Sequence, residues 1–88
     1  MMIHVRGILL RFTNYQNEIE IGGSTIREGL NGLMSRYPDL KAVLTDRDGC
    51  IRPTHLIAHN GEQLTLAELD RDTTADDRVD IVTAVSGG

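Results

Sequence analysis

The 88-residue sequence predicts a single α+β domain, in which one main helix packs on a mixed sheet of four to five strands. Three observations support this prediction. Segments near both ends of the chain alternate apolar and polar residues, as half-buried strands do. Between them, one stretch repeats apolar residues at intervals of three and four, which is typical of an amphipathic helix. Asn60-Gly61 follows a further apolar run and is a strong hairpin-turn signature.

The first part of the chain predicts a β-hairpin. Alternation begins at Ile3, and the apolar character continues to Phe12, so we predict a first strand across this segment. The sequence Asn-Tyr-Gln-Asn at 14–17 predicts the turn. The strict alternation Glu-Ile-Glu-Ile at 18–21 predicts the returning strand, with one face buried and the other in solvent.

The main helix is predicted to begin after Thr25 and to end before Pro38. Thr25 and Glu28 have the spacing of a capping box, and proline cannot continue a helix. Gly29 and Gly32 each weaken a helix by about 1 kcal/mol relative to alanine, so we expect them to permit close packing against the sheet. The apolar stripe of this helix consists of Ile26, Leu30, Leu33, Met34 and Tyr37.

The second half of the chain predicts short elements and a tail. In order, they are a helical turn at 39–44, a polar loop at 45–49, strands at 55–59 and 62–64, a helical turn at 66–70 and a last strand at 79–84. No linker, repeat or low-complexity segment separates them. We therefore predict one domain over residues 1–83 and a flexible C-terminal tail over residues 84–88.

Composition argues against several classes of function. Nine basic residues against 13 acidic ones give a net charge of −4, which disfavours nucleic acid, and two tyrosines and one phenylalanine cannot build a base-stacking platform. Cys50 is the only cysteine, so no internal disulfide forms and a zinc site is not expected. No stretch approaches the roughly 18 apolar residues of a membrane span, and the start of the chain lacks a secretory-signal pattern. These features predict a cytoplasmic protein.

Gly87-Gly88 follow directly on the apolar, strand-like run at 79–86. Without Cβ atoms, two glycines can enter a narrow channel and leave the terminal carboxyl carbon open to attack. Residues 84–88 reach roughly 16 Å when extended, far enough to enter the active site of a partner. A carboxylate reacts as an acyl donor only after activation, usually by ATP. The carboxylate of Gly88 is therefore the candidate functional group, with a frayed or cut end as the plain alternative.

Three segments of the chain carry a family resemblance. Residues 24–33 predict a Thr-initiated helix rich in small residues, and residues 56–62 contain a hairpin similar to V-N-G-E. Residues 76–88 resemble the ending D-G-D-x-V-x-I-x-P-x-V-x-G-G and are the most specific of the three. Together these segments resemble the ubiquitin-like sulfur carriers of the MoaD/ThiS superfamily, including the CysO-like carriers. The chain departs from that pattern at Thr83-Ala84, where proline is usual, and at His59, where an apolar residue is usual.

The resemblance implies a β-grasp (ubiquitin-like) fold and a sulfur-carrying role. An E1-like enzyme would use ATP to adenylate Gly88, and a sulfur donor would convert the adenylate into a thiocarboxylate. Val85, Ser86 and Gly87 would be the part of the tail that partner enzymes recognise. The sulfur would pass to a biosynthetic enzyme making molybdopterin, thiazole, cysteine or a secondary metabolite. The chain itself would be a carrier and not an enzyme, with no catalytic residue, no metal and no bound cofactor.

Two other functions stay open at the level of sequence. As a protein modifier, the chain would transfer its activated Gly88 to a lysine amine and form an isopeptide. As an adaptor subunit, the domain would bind a partner and the tail would have no role.

Other candidate sites have simpler interpretations. Cys50 and His55 together suggest a thiolate and a base, but a lone cysteine near a loop is usually a structural or surface thiol. His55 and His59 are roughly 13 Å apart along one strand, too far to share a metal, so we expect them to be solvated or to face a partner. The aspartate-rich segment at 70–80 lacks calcium-loop spacing and is predicted to be a solvated loop. An apolar patch around Val82, on the outer face of the sheet, is the predicted docking surface for an activating enzyme.

Overall fold

The computed structural model describes residues 1–83, which form one five-stranded sheet covered by two α-helices. Its elements are β1 (Met2–Val5), a 3₁₀-helix (Gly7–Phe12), β2 (Glu18–Glu20), α1 (Ile26–Arg36), α2 (Pro38–Leu44), β3 (His55–His59), β4 (Glu62–Leu64), a 3₁₀-helix (Leu66–Glu68) and β5 (Arg78–Thr83). The strands lie in the order β2-β1-β5-β3-β4. β1 and β5 are parallel at the centre, and the other neighbours are antiparallel. The predicted α+β fold with a mixed sheet is confirmed.

The core lies between the helices and the inner face of the sheet. In the two central strands, Ile3 is opposite Val79 and Val5 is opposite Ile81, and all four side chains are buried. Because strand side chains alternate between faces, the residues between them point to the outer face. The helices complete the core with Ile26, Leu30, Leu33, Met34, Leu40 and Leu44. β5, the last strand, therefore lies at the centre of the sheet and contributes buried side chains to the core.

The first turn of α1 is capped from two sides. The hydroxyl of Thr25 accepts the N–H of Glu28 at 3.1 Å, and the Glu28 carboxylate accepts the N–H of Ser24 at 3.1 Å. The carbonyls of Leu69 and Arg71 accept the N–H groups of the first two helical residues. These contacts supply partners that the start of a helix lacks internally. The predicted cap is confirmed, and the segment after β4 is fastened to it.

The two glycines of α1 lie where the helix approaches neighbouring side chains. A Cβ atom on Gly29 would overlap the end of the Met1 side chain, and one on Gly32 would lie 2.9 Å from Cγ2 of Ile21. Both neighbours are buried. The prediction that these glycines permit close packing is confirmed.

The first strand is shorter than the sequence predicts. β1 ends at Val5, and Gly7 has a φ of +65°, a left-handed conformation that glycine adopts without a Cβ penalty. The chain then turns into the 3₁₀-helix, which buries Leu9 in the core and leaves Ile8 55% exposed. The prediction of one strand reaching Phe12 is wrong, because the apolar run is folded around a turn and does not lie in the sheet.

The other predicted elements are confirmed with small changes at their ends. β3 and β4 have the predicted bounds, and Asn60 and Gly61 between them have φ values of 50° and 86°, as the hairpin signature requires. β5 begins at Arg78, one residue earlier than predicted. The predicted tail at 84–88 lies outside the described residues. Within residues 1–83, no helix is long and apolar enough to cross a membrane.

Candidate functional site

The structure defines the strand from which the predicted tail continues. Gly88, the predicted functional residue, lies outside the described residues, as do Val85, Ser86 and Gly87. β5 pairs with β1 on one side and with β3 on the other, and its final described residue, Thr83, is paired with the first residue of β3. The segment that leads to the tail is therefore held by the centre of the sheet and not by an edge.

His55, the first residue of β3, is buried beside the end of β5. Its side chain faces Thr83, with 3.2 Å between Nδ1 and the threonine hydroxyl. Its Nε2 lies 3.0 Å from the carbonyl oxygen of Val43 in α2. The residue is only 5% exposed, so the prediction that His55 is solvated or faces a partner is wrong. Both ring nitrogens are engaged, so the ring is not available to activate the thiol of Cys50, which is exposed in the preceding loop.

The outer face of the sheet carries an apolar groove of about 280 Å³. Leu56 and Val82 are directly opposite each other in the pairing of β3 with β5, and they are 38% and 37% exposed. Ala58 and Gln63 lie opposite one another on the neighbouring strand pair and also line the groove. The predicted apolar patch around Val82 is present on the face away from the helices.

A charged cluster borders this groove. Asp80 lies between two arginines, 3.1 Å from Arg78 and 3.8 Å from Arg6, and its side chain is only 16% exposed. The outer face of β5 therefore presents an aspartate and an arginine next to the exposed Val82. This combination of an apolar centre and a charged border is typical of a surface that binds another protein.

His59 and Asp77 form a second polar contact, at the opposite end of β3. Nε2 of His59 lies 2.8 Å from Oδ2 of Asp77, and their side chains are 11% and 16% exposed. The bond from His59, followed by bonds from the Thr74 N–H and from Asn60, holds the pKa of Asp77 well below its usual range. His59 was predicted to be solvated or to face a partner, and its solvated form is wrong because the side chain is mostly buried against Asp77. The prediction that the whole aspartate-rich segment is a solvated loop is wrong at Asp77.

A third polar cluster caps the 3₁₀-helix that follows β4. The backbone N–H and the hydroxyl of Thr65 both donate to Glu68 Oε1, at 2.9 and 3.1 Å. These bonds lower the pKa of Glu68. In the part of the chain that the structure describes, no three His, Cys, Asp or Glu side chains are grouped as metal ligands would be.

Comparison of the sequence with known families gives a match over nearly its whole length. The ThiS family matches residues 3–88, a range that covers all but the first two described residues and includes the terminal glycines. The chain belongs to the ThiS family. This membership confirms the predicted resemblance to the ubiquitin-like sulfur carriers of the MoaD/ThiS superfamily. Comparison with curated protein sequences gives no match.

Solved structures confirm the fold of this ThiS-family chain as β-grasp. A chain of the Amycolatopsis orientalis BexX/CysO complex is 24% identical, with a TM-score of 0.85 and coverage of 99% of this chain and 98% of that one. SAMP1 from Methanosarcina acetivorans, a small archaeal modifier protein, is 22% identical, with a TM-score of 0.87 and coverage of 99% and 94%. CysO from Mycobacterium tuberculosis is 23% identical, with a TM-score of 0.81 and coverage of 96% and 98%.

The contact between His55 of β3 and Thr83 of β5 is not predicted by the sequence. Nothing in the sequence of this ThiS-family chain links Thr83 to the carbonyl of Val43, because the connection runs through His55 and depends on the register of β3 against β5. The sequence shows only that one predicted strand ends near a threonine and another begins with a histidine, two side chains that can form a hydrogen bond. That observation becomes informative only when the strand pairing is known.

Proposed function

We propose that this ThiS-family chain carries sulfur as a thiocarboxylate on Gly88 and gives it to a biosynthetic enzyme. The family match carries this proposal, because it runs through residue 88 and so includes the terminal glycines. The geometry of β5 supports it, since the strand that leads to the tail is fixed between β1 and β3. The chain would act as a co-substrate of other enzymes, in the cytoplasm, and would catalyse no step itself.

The proposed chemistry has two steps. The Gly88 carboxylate attacks the α-phosphorus of ATP on an E1-like enzyme, and pyrophosphate leaves. A hydrosulfide equivalent from a sulfur donor then attacks the acyl carbon, and AMP leaves. The product is an anionic thiocarboxylate, so sulfide is delivered in covalent form. The absence of a Cβ atom at the last two positions would leave the acyl carbon open to both nucleophiles.

The groove formed by Leu56, Ala58, Gln63 and Val82 is the proposed docking surface for the activating enzyme. It is on the outer face of the sheet, and it contains two large exposed apolar side chains. Asp80 and Arg78 at its border would fix the orientation of the partner. The groove and the proposed reactive end both belong to β5 or its continuation, so one partner could engage them together. The similar chain from Amycolatopsis orientalis was crystallised in a BexX/CysO complex.

The test is intact-mass analysis after incubation with an E1-like enzyme, ATP and a sulfur source. Replacement of one oxygen by sulfur must be located on Gly88 by fragmentation, because oxidation of cysteine or methionine adds nearly the same nominal mass. The Cys50→Ser variant makes the test sharper, since Cys50 is the only cysteine and its removal leaves the thiocarboxylate as the only thiol-like group to alkylate. A chain lacking Gly88 is the matched negative control. If the intact tail never acquires sulfur, the proposal fails.

A second function is favoured by the likeness to the small archaeal modifier protein of Methanosarcina acetivorans. As a modifier, the activated Gly88 would be transferred to a lysine amine on another protein. Lys41 is the only lysine of this chain, and it is exposed on α2. Attachment of one copy to another through a lysine would therefore occur at Lys41 alone. The Lys41→Arg variant would abolish such self-conjugates and leave conjugates with other proteins, whereas a pure carrier would form neither.

A further inference from the structure

The buried histidine at the end of β5 has hydrogen-bonding roles that the geometry determines. A backbone carbonyl only accepts hydrogen bonds, so Nε2 of His55 must carry the proton that it donates to Val43. In the neutral ring, Nδ1 is then an acceptor, and it takes the proton of the Thr83 hydroxyl. Both ring nitrogens are thus satisfied, and the ring cannot rotate without losing both bonds.

These two bonds join three elements at one point. The Val43 carbonyl belongs to α2, His55 begins β3, and Thr83 is the last described residue of β5. The backbone around the histidine is also fixed, because its N–H donates to the carbonyl of Arg52, whose own N–H donates to Leu44. The backbone of His55 is therefore held in place between α2 and the sheet.

The contact between His55 and Thr83 lies at the end of the described part of β5, next to the predicted tail. The pair His55 and Thr83 is the last one in the register of β3 with β5 within the described residues. The parallel pairing with β1 ends two residues earlier, at Ile81. The side chain of His55 is thus the contact closest to Ala84 that joins β5 to the rest of the domain, among those described.

We propose that His55 is a positioning residue for the reaction at Gly88, acting through the hydroxyl of Thr83 to fix the direction in which the tail leaves the sheet. This inference rests on the proposed function. When the tail is extended over roughly 16 Å in the active site of a partner, a change of direction of about 15° at its root moves its end by about 4 Å. Misplacement of a reacting group by about 1 Å can reduce a rate by about 100-fold. A link at the root therefore affects the chemical step more than the docking of the domain.

The structure offers matched variants for a test. Thr83→Val removes the hydroxyl and keeps the β-branched shape, whereas Thr83→Ser keeps the hydroxyl. His55→Gln keeps a donor for Val43 and loses the acceptor that faces Thr83. Leu56→Asp is the contrasting change, because it alters the docking groove and leaves the link intact.

The first measurement is pyrophosphate release by an E1-like enzyme that activates the wild-type chain. We expect Thr83→Val and His55→Gln to lower kcat by about 10- to 100-fold, with KM for the carrier changed less than about twofold, because alignment and not docking is lost. Thr83→Ser should retain the wild-type kcat, and Leu56→Asp should raise KM. Equal kcat for Thr83→Val and wild type, or an effect confined to KM, would overturn the positioning role.

The second measurement uses the free chain and does not depend on the sulfur chemistry. Amide nitrogen relaxation should show larger motion of Ala84 and Val85 in Thr83→Val than in Thr83→Ser, with the rest of the domain unchanged. The ring nitrogens of His55 should show a proton on Nε2 in all Thr83 variants, and a shifted Nδ1 resonance only in Thr83→Val. Unchanged relaxation would refute the positioning role whatever the enzyme does. If the wild-type chain releases no pyrophosphate, the proposed function fails by itself, and the relaxation data still decide the link.

Discussion

The carboxylate of Asp77 accepts a hydrogen bond from the imidazole of His59, with 2.8 Å between Oδ2 and Nε2. Asp77 lies in the turn before β5, and His59 is the last residue of β3, so the bond joins the start of the last strand to the end of its antiparallel neighbour. Asn60 and Thr74 complete the contact: the Asn60 amide donates to the same carboxylate at 3.3 Å, and the Thr74 N–H donates at 3.0 Å. A carboxylate with this many donors is stabilised in its charged form.

This contact predicts a loss of stability in acid. Because the pKa of Asp77 is lowered in the folded chain, the unfolded chain binds more protons between the two pKa values. Its contribution is fully present above the ordinary aspartate pKa of about 4 and is lost as the pH falls below it. Asp77→Asn should therefore be less stable than wild type at pH 7, and its stability should depend less on pH below about pH 4.

Urea unfolding at a series of pH values checks this prediction. Asp76→Asn is the matched control, because Asp76 is exposed and adjacent in sequence. It should follow the wild-type pH dependence. If Asp77→Asn and wild type lose stability in parallel on acidification, the carboxylate does not have the role assigned to it.

Much of this fold was predictable because local patterns and tertiary packing agree. The Asn60-Gly61 turn fixes the β3–β4 hairpin, and the capping residues of α1 fix where that helix begins. The stretch from Ile8 to Phe12 was not predictable in the same way, since apolar runs are compatible with a strand or with a buried turn. There the left-handed conformation of Gly7 turns the chain out of the sheet, and the 3₁₀-helix that follows buries Leu9.

The candidate site was predictable only in part, because its contacts depend on strand order. Val82 was identified as exposed and apolar from alternation alone, but its neighbour Leu56 comes from a strand 26 positions earlier in the chain. The two histidines of β3 were predicted to be solvated or to face a partner, because their spacing along the strand is too large for one metal ion. Their half-buried partners, Thr83 and Asp77, lie on β5 or just before it, and no local pattern identifies them.

Replacement by alanine at two positions of α1, Ser35 and Gly32, is predicted to have opposite effects on stability. Ser35→Ala, at an exposed helical position, should raise the free energy of unfolding by about 0.5 kcal/mol through helix propensity. Gly32→Ala gains about 1 kcal/mol by the same mechanism, but its Cβ atom would meet Cγ2 of the buried Ile21 at 2.9 Å. Overpacking costs about 1–3 kcal/mol, so we expect no net gain and a loss of up to about 2 kcal/mol. Thermal or urea unfolding of both variants gives the comparison, and a more stable Gly32→Ala would contradict the close approach.

The cap of α1 predicts a graded loss of stability. Thr25→Ala removes the hydroxyl that accepts the Glu28 N–H and should lower the free energy of unfolding by about 1 kcal/mol. Thr25→Ser keeps the acceptor and should remain within about 0.5 kcal/mol of wild type. Equal stability of the alanine and serine variants would show that the cap contributes nothing.

The groove on the outer face predicts variants that separate docking from folding. Leu56→Asp and Val82→Asp place a charge at the centre of the groove, where removal of a large apolar contact typically costs a protein interface about 1–2 kcal/mol or more. We therefore expect KM of the carrier for its E1-like enzyme to rise by about tenfold or more. Both side chains are more than one-third exposed, so the free energy of unfolding should change by no more than about 0.5–1 kcal/mol.

Leu66→Asp is the matched control, because Leu66 is 37% exposed but does not line the groove. If Leu66→Asp raised KM as much as Val82→Asp, the partner would dock elsewhere, and if neither did, the outer face would not be its binding surface.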